Sequence, residues 1–128
     1  MAEKLCQLKK KGGGELKETT FWTNSSPTSS FTGGGITVPD ITPYRLIKVT
    51  FRVSTSNSTE YYELYTPDQL LNAMYSGSVT GQLAILGFFA GSYSRYVRYF
   101  RAPSATSIYF AGADNNNYII PIKITGLK

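Results

Sequence analysis

The sequence predicts an all-β fold: an antiparallel β-sandwich of jelly-roll-like or immunoglobulin-like strand order, with one short helix and a flexible N-terminal arm. Three observations support this prediction. Short segments alternate apolar and polar residues with a period of two, as half-buried strands do. Glycine, proline, serine and asparagine separate these segments at close intervals. The composition is rich in aromatic residues (14%) and poor in charged ones (16%), and 128 residues suffice for one core.

The chain divides into two predicted units: residues 1–14, a basic N-terminal arm with a glycine linker, and residues 15–128, a single β-sandwich domain. The arm holds four lysines and two leucines at helix-like spacing before the glycines at 12–14, which predict a flexible joint. An arm this short cannot bury its own apolar residues, so it is either a disordered tail or a peptide that docks on another protein. In the docking interpretation, the anchoring residues are Lys4, Leu5, Leu8, Lys9, Lys10 and Lys11.

The central part of the domain predicts a hairpin followed by a helix. The clearest strand spans residues 44–54, in which β-branched and aromatic residues alternate with polar ones. A polar turn at 54–59 and a second alternating segment at 60–65 complete the hairpin. Thr66 as N-cap and Pro67 at the first helical position then predict a short helix. Further strands are predicted at residues 19–23, 83–89, 93–101, 106–111 and 118–125.

Two local features qualify this strand assignment. Pro121 cannot donate to a strand ladder, so the last strand is predicted to lie at a sheet edge or to contain a bulge. The glycines at 33–35 lack the lysine and hydroxyl partner of a phosphate-binding loop and are interpreted as a loop tip. The predicted core consists of Ile47, Val49, Phe51, Val53, Leu64, Leu70, Leu71, Ile85, Phe89, Val97, Ile108, Phe110, Ile120 and Ile122.

The composition excludes several chemistries and predicts a protein that is not an enzyme. There is no histidine and only one cysteine, Cys6, which rules out histidine-based catalysis and a Cys/His metal cluster. Glu60 and Glu63 are three residues apart on a strand, so they point to opposite faces and form no acid/base pair. The segment 114–117 offers oxygen ligands for calcium but is interpreted as a turn. We therefore expect no catalytic residues, no metal and no cofactor.

The sequence also predicts where the protein is made. A lone cysteine cannot form an internal disulfide, which favours a reducing compartment. We see neither the apolar run of a signal peptide nor that of a membrane span. We therefore expect synthesis in the cytoplasm and no membrane partner.

The segment from residue 93 to 101 interleaves arginines with aromatic residues. On a strand, Arg95 and Arg101 share one face and Arg98 lies on the other. Base stacking with phosphate contacts is one interpretation. The net charge of +5 is spread without a dense basic stripe, however, so we expect no nucleic-acid partner. The remaining interpretation is an oligomer interface or a glycan contact made by Tyr93, Arg95, Tyr96, Arg98, Tyr99 and Arg101.

Tyrosines along the chain, including those at 93–101, support the same two alternatives. A tyrosine ring can form a flat platform for a sugar, and tyrosine is also enriched at protein interfaces. Ordinary packing within the sheets is a third interpretation, and the spacing of these residues does not choose among the three. The tyrosines concerned are Tyr61, Tyr62, Tyr65, Tyr75, Tyr93, Tyr96, Tyr99 and Tyr109.

Three stretches carry a resemblance to a known class of protein. They are the opening MAEKLCQLKKKGGG, the stretch FWTNSSPTSSF at 21–31 and the closing IIPIKITGLK at 119–128; the strand IKVTFRVSTS at 47–56 matches more loosely. Together they resemble small virion proteins encoded by tailed phages and prophages of Firmicutes and gut bacteria. Residues 65–101 lie outside this resemblance, and it supplies no catalytic residues.

The resemblance implies a structural component of a bacteriophage virion, such as a capsid decoration, head fibre or tail fibre module. In such proteins a short N-terminal peptide is similar to an anchor that attaches a displayed β-domain to a capsid or tail protein. We therefore expect a homo-oligomer, trimeric in the fibre-like case, located in the virion. The alternative is a carbohydrate-binding module for host attachment, which would bind a host-surface glycan.

Overall fold

The described residues form two four-stranded antiparallel sheets, which confirms the predicted β-sandwich class. The structure is a computed structural model and describes residues 16–73, 84–87, 96–113 and 115–128. The elements are β1 (Glu18–Thr23), β2 (Gly34–Thr37), β3 (Leu46–Ser54), β4 (Asn57–Tyr65), α1 (Pro67–Leu71), β5 (Ala84–Gly87), β6 (Val97–Ser104), β7 (Ser107–Phe110) and β8 (Tyr118–Leu127).

The strand order is β1-β8-β3-β4 in the first sheet and β2-β7-β6-β5 in the second. The first described strand thus pairs with the last, and β2 pairs with β7. This nested pairing is typical of jelly-roll sandwiches. Hairpins join β3 to β4 and β6 to β7, so the remaining strands pair with their neighbours in sequence.

The predicted hairpin and helix are both present. β3 and β4 pair regularly from Ile47 opposite Tyr65 to Arg52 opposite Glu60. The helix is short, as predicted, and a full capping box sets its start. The Thr66 hydroxyl accepts a hydrogen bond from the backbone N–H of Gln69 (3.2 Å), and the Gln69 side chain accepts one from the N–H of Thr66 (2.8 Å).

Two expectations need correction. Gly34 and Gly35 belong to β2 rather than to a loop tip, because their register opposite Phe110 and Tyr109 continues the β7 ladder. β8 lies between β1 and β3, so Pro121 is not on an edge strand. The predicted bulge is confirmed: the β3–β8 register shifts at this position, which accommodates a residue without an N–H.

The main core lies between the two sheets. The inward residues of β3, β6, β7 and β8 belong to one buried cluster, which includes large apolar side chains such as Phe100 and Ile124 that the sequence analysis did not single out. The predicted core residues found in this cluster and fully buried are Ile47, Val49, Phe51, Val53, Leu70, Ile108 and Phe110.

The other predicted core residues have different surroundings. Ile120 is buried, and Leu64 is buried in a second cluster on the outer face of the first sheet. Phe89 lies outside the described residues. The remaining members are only half-buried: Leu71, Ile85, Val97 and Ile122.

The second cluster includes Leu16, the first residue that the structure describes. Leu16 packs against Leu46, Leu64 and Leu127 on the outer face of the first sheet. The next residue, Lys17, exchanges two backbone hydrogen bonds with Lys128, at 3.1 and 3.0 Å. The entry point of the chain is therefore fixed against β8.

A side chain ties the two sheets together at one corner. Tyr65, the last residue of β4, places its Oη 2.9 Å from both the backbone N and the backbone O of Ile85 in β5. The phenol accepts a hydrogen bond from that N–H and donates one to that carbonyl. Its ring also packs edge-on against Phe100, with centroids 5.4 Å apart. A residue of the first sheet thus satisfies the backbone at the edge of the second.

Candidate functional site on the outer face of the second sheet

Three residues lie in register across the outer face of the second sheet. Gly35 of β2 is opposite Tyr109 of β7, and Tyr109 is opposite Arg101 of β6. Their neighbours in sequence point inward: Phe100, Ile108 and others are fully buried, whereas Tyr109 is 37% exposed. We call these three positions the outer row.

Further side chains on the same face extend the outer row. Tyr99 precedes Arg101 on the outward side of β6 and lies opposite Ile85 of β5. Ser107 and Thr37 form the next cross-strand pair beside the glycine end. The face therefore combines aromatic rings, one guanidinium group and hydroxyl groups.

The glycine of the outer row is not explained by packing. A Cβ at Gly35 would have no heavy atom within 4 Å, and the residue does not occupy the left-handed region. Gly33 differs, because its φ is 102° and a Cβ there would lie 2.7 Å from the carbonyl oxygen of Phe110. The fold thus requires glycine at 33, whereas at 35 the missing side chain leaves open space beside Tyr109. Glycine inside a strand often marks a place where a ligand approaches closely.

The structure separates the predicted contact residues. Tyr99 and Arg101 lie on the outer face, and Tyr96 is half-buried, with its ring stacked on Tyr118 at a centroid distance of 4.0 Å and an interplanar angle of 1°. Arg98 lies on the opposite face from Arg101, as strand alternation predicts. The other predicted contact and anchoring residues lie outside the described residues: Lys4, Leu5, Leu8, Lys9, Lys10, Lys11, Tyr93 and Arg95.

The interpretation of Arg98 as an interface or glycan contact is wrong. Its side chain is fully buried, and its guanidinium group is hydrogen-bonded to backbone carbonyls inside the fold. Nε donates to the carbonyl oxygen of Ile119 (2.7 Å) and Nη1 to that of Ala111 (2.8 Å). Nη2 donates to the carbonyl oxygens of Phe31 (2.9 Å) and Tyr118 (3.3 Å). Four carbonyls from three segments of the chain therefore surround one cation.

Carbonyl dipoles and an aromatic ring stabilise this buried charge. No described carboxylate lies within salt-bridge distance of Arg98, and its guanidinium carbon lies 5.0 Å from the Phe31 ring centroid. Burial lowers the pKa of Arg98 to about 10. The group is still protonated at neutral pH, so all of its hydrogen bonds are charge-assisted.

Glu60 and Glu63, the two glutamates of β4, lie on opposite faces of the first sheet. They pair with Arg52 and Val49, which face opposite sides of that sheet, as predicted. Asp40 is exposed, and hydrogen bonds from the Thr42 hydroxyl and backbone lower the pKa of its carboxyl. Among the described residues, no three His, Cys, Asp or Glu side chains could hold a metal ion.

The segment before β8 folds as a turn, as predicted for its described residues. The Asn115 side chain accepts a hydrogen bond from the backbone N–H of Asn117 (3.0 Å). Asn116 accepts one from the N–H of Ala113 (3.1 Å). The amide oxygens are thus engaged in local turn geometry.

Sequence analysis identified two of the three residues of the outer row. Arg101 was a predicted contact residue and Tyr109 was among the tyrosines considered, and the alternation in Ser107–Phe110 already places Tyr109 outward. Gly35 was missed, because only the cross-strand register brings it beside Tyr109. A four-residue strand that opens with two glycines carries no alternation signal of its own.

Comparison with known proteins finds no match to this chain. No family model, curated protein or solved structure matches the chain. In the parts of the chain that the structure describes, none of the helices has the length and apolar character needed to cross a membrane.

Proposed function

We propose that this protein is a non-enzymatic structural component of a bacteriophage virion, an accessory module of the decoration or fibre type. Residues 1–14 anchor it to a capsid or tail protein, and the sandwich is displayed outward. The observation that carries the proposal is the placement of two features on opposite sides of the sandwich. Leu16, the first described residue after the arm, packs on the outer face of the first sheet, and the outer row lies on the outer face of the second.

This arrangement suits a module with two attachment points. The entry point is held by packing of Leu16 and by the paired backbone hydrogen bonds between Lys17 and Lys128. Leu16 and the outer row lie on different sheets, so a partner bound next to Leu16 and a partner bound on the outer row would contact different faces of the sandwich.

Several copies joined in a homo-oligomer would bind a particle more tightly than one copy does. The second attachment becomes intramolecular once the first has formed, and the avidity rises without any new contact. We propose a closed assembly, with a trimer as the fibre-like form. Light scattering on the full chain measures the number of copies.

The test of the anchor compares the full chain with a chain lacking residues 1–14. Both are mixed with virions purified from a phage strain that lacks this protein, and the bound fraction is measured by sedimentation. We expect only the full chain to sediment with the particles, and replacement of Lys9, Lys10 and Lys11 by Gln to weaken its binding. Lys123→Gln, on the body of β8, is the matched control and should bind normally.

Two results would contradict this proposal. Equal binding of both chains would show that the anchor lies in the sandwich. If the full chain is folded by circular dichroism but does not bind virions, the proposal that it is a virion component is contradicted.

A second candidate function, glycan binding for host attachment, is favoured by the outer row. A half-exposed tyrosine, a neighbouring cation and an open shelf at a glycine form a surface on which a sugar ring could lie. The displayed side of the sandwich is the side on which a host-recognition surface is useful.

A further inference from the structure

We propose that residues 1–15 of this chain dock on the outer face of the first sheet, where Leu5 and Leu8 complete the second cluster. The inference concerns the protein before it meets any partner. It does not rest on the virion assignment, and its test uses the protein without virions, so the two proposals fail separately.

The outer face of the first sheet is buried, whereas the outer face of a sandwich is usually solvated. Leu46, Leu64 and Leu127 lie there and are at most 4% exposed. Thr50 and Thr125 lie on the same face, because each is an even number of residues from the leucine in its own strand. They are at most 6% exposed. The buried area therefore extends about 13 Å along β3, from Leu46 to Thr50.

Described side chains cover only part of this area. Those packed against the leucines are Leu16 and Tyr62, and both are half-buried themselves. Lys48 lies in the middle of the face, but its ammonium group is directed to other partners. Its Nζ lies 3.6 Å from Oε1 of Glu18 and 4.8 Å from the centroid of the Tyr62 ring. The burial therefore calls for a further part of the same chain over this face.

Two buried hydroxyl groups indicate the chemistry of the cover. Oγ1 of Thr50 and Oγ1 of Thr125 have no hydrogen-bond partner among the described residues. A buried hydroxyl without a partner is destabilising, and a cover that bonds to it removes this cost. A polypeptide has N–H and C=O groups that can bond to both hydroxyls, which a purely apolar surface lacks. The cover is therefore a stretch of main chain that also carries apolar side chains.

The segment before Leu16 meets these requirements. Leu16 is already seated on the face, so the chain that precedes it starts from the second cluster. This segment has fifteen residues, which reach about 50 Å when fully extended, several times the length of the buried area. The glycines at 12–14 permit the sharp reversal that brings the segment back over the sheet. Leu5 and Leu8 then supply the apolar side chains.

Tethering favours this occupant over a second copy or a foreign protein. A segment linked to the face by a short chain is present there at an effective concentration in the millimolar range. The lysines of the segment can keep their ammonium groups in water while the leucines are buried. If the same residues also anchor the protein, they must first leave the face, and docking then lowers the apparent affinity of the anchor.

The test is methyl NMR on the full chain with ¹³C-labelled leucines. We expect nuclear Overhauser effects between the methyl groups of Leu5 and Leu8 and those of the second cluster. A sample that mixes labelled with unlabelled molecules separates contacts within one molecule from contacts between copies. We expect contacts within one molecule only.

Variants test the two kinds of contact. Leu5→Asp combined with Leu8→Asp should remove these contacts and raise the binding of a hydrophobic dye severalfold, with the sandwich still folded by circular dichroism. Leu5→Met combined with Leu8→Met is the matched control and should keep the segment docked. Thr125→Val should lower the ratio of docked to undocked segment about fivefold, because a buried hydrogen bond is lost. Thr20→Val, at the exposed position opposite Thr125, should leave this ratio unchanged.

Four results would overturn the inference. They are no contact between Leu5 or Leu8 and the second cluster, contacts between copies only, unchanged dye binding in the aspartate variant, and an unchanged ratio in Thr125→Val. Contacts between copies would assign the face to an exchange of N-terminal segments within an oligomer.

Discussion

Arg98 holds Ile119 in a backbone conformation that isoleucine seldom adopts. Nε of Arg98 donates to the carbonyl oxygen of Ile119 at 2.7 Å, and Ile119 has a φ of 52°. A β-branched residue in the left-handed region is strained by about 1–3 kcal/mol. The strain persists because the Ile119 side chain is fully buried in the core while its carbonyl is fixed by the guanidinium.

Arg98→Lys should lower the free energy of unfolding by about 2–4 kcal/mol. An ammonium group keeps the buried charge but cannot reach four carbonyls with the planar spread of a guanidinium. Chemical denaturation followed by tryptophan fluorescence measures the loss.

The matched control for this substitution is Arg52→Lys. Arg52 also donates to two carbonyls, those of Asn57 (2.8 Å) and Thr55 (3.3 Å), but it is only half-buried. We expect a loss of about 0.5 kcal/mol there. Equal decreases in the free energy of unfolding for the two substitutions would show that the burial of Arg98 adds nothing to the effect of its hydrogen bonds.

Tyr65→Phe should lower the free energy of unfolding by about 1–2 kcal/mol at neutral pH, because both hydrogen bonds with the backbone of Ile85 are lost. Thermal unfolding of the two proteins at pH 7 measures this difference. An unchanged free energy of unfolding in Tyr65→Phe would mean that water makes equivalent hydrogen bonds with the Ile85 backbone when the phenol hydroxyl is absent.

The contribution of Tyr65 should also depend on pH. Burial raises the pKa of this phenol, the Ile85 backbone hydrogen bond acts in the opposite direction, and Glu63 adds to the rise. A raised pKa in the folded state means that the contribution is complete below pH 10 and is lost as pH rises through the folded pKa. The advantage of the unmodified chain over Tyr65→Phe should therefore shrink above pH 10. The pKa of Arg98 is lowered, so its contribution to the free energy of unfolding increases as pH rises through this range. Both proteins contain Arg98, and this contribution therefore cancels in the comparison.

Gly126→Ala should destabilise the domain by about 1–3 kcal/mol through overcrowding. Phe21 and Tyr44 meet edge-on, with centroids 4.9 Å apart, directly over this glycine in β8. A Cβ there would lie 2.6 Å from the Tyr44 ring. Thermal denaturation measures the loss, and Phe21→Ala should reduce it when the two changes are combined.

Gly35→Ala serves as the contrasting glycine substitution. The added methyl group meets no atom within 4 Å, so the free energy of unfolding should rise by about 0.4–1 kcal/mol. A decrease as large as that of Gly126→Ala would show that the shelf at Gly35 is required by the fold.

Thr66→Ala should lower the free energy of unfolding by about 1 kcal/mol, because the hydroxyl that caps α1 is lost. Urea denaturation measures the change. Thr59→Ala, at an exposed position of β4, removes the same hydroxyl without a helix to cap and should change stability by less than about 0.5 kcal/mol.

The elements that sequence predicted well are those with a local cause. The hairpin at β3 and β4 follows from alternation, and α1 follows from the hydroxyl of Thr66 and the ring of Pro67. Both signals lie within a few residues of the structure they specify. The bulge at Pro121 was predicted for the same reason, since proline lacks the N–H that a regular ladder needs.

Features that depend on distant partners were not predicted. An arginine between tyrosines is typical of a surface contact, and only the approach of the carbonyls of Phe31, Ala111 and Ile119 turns Arg98 into an interior residue. The central position of β8 likewise depends on pairing with β1, a hundred residues away along the chain. The outer row combines the two cases: alternation places Tyr109 outward, and pairing alone supplies Gly35.

The phenol of Tyr65 has a consequence for crowded assemblies of this protein. An unpaired edge strand offers N–H and C=O groups with which a strand of another polypeptide can pair, and fibrils can grow from such edges. At Ile85 both groups are already engaged by Oη, so an incoming strand must first displace the phenol. Identical molecules packed side by side at high local concentration are thereby kept from templating one another at β5.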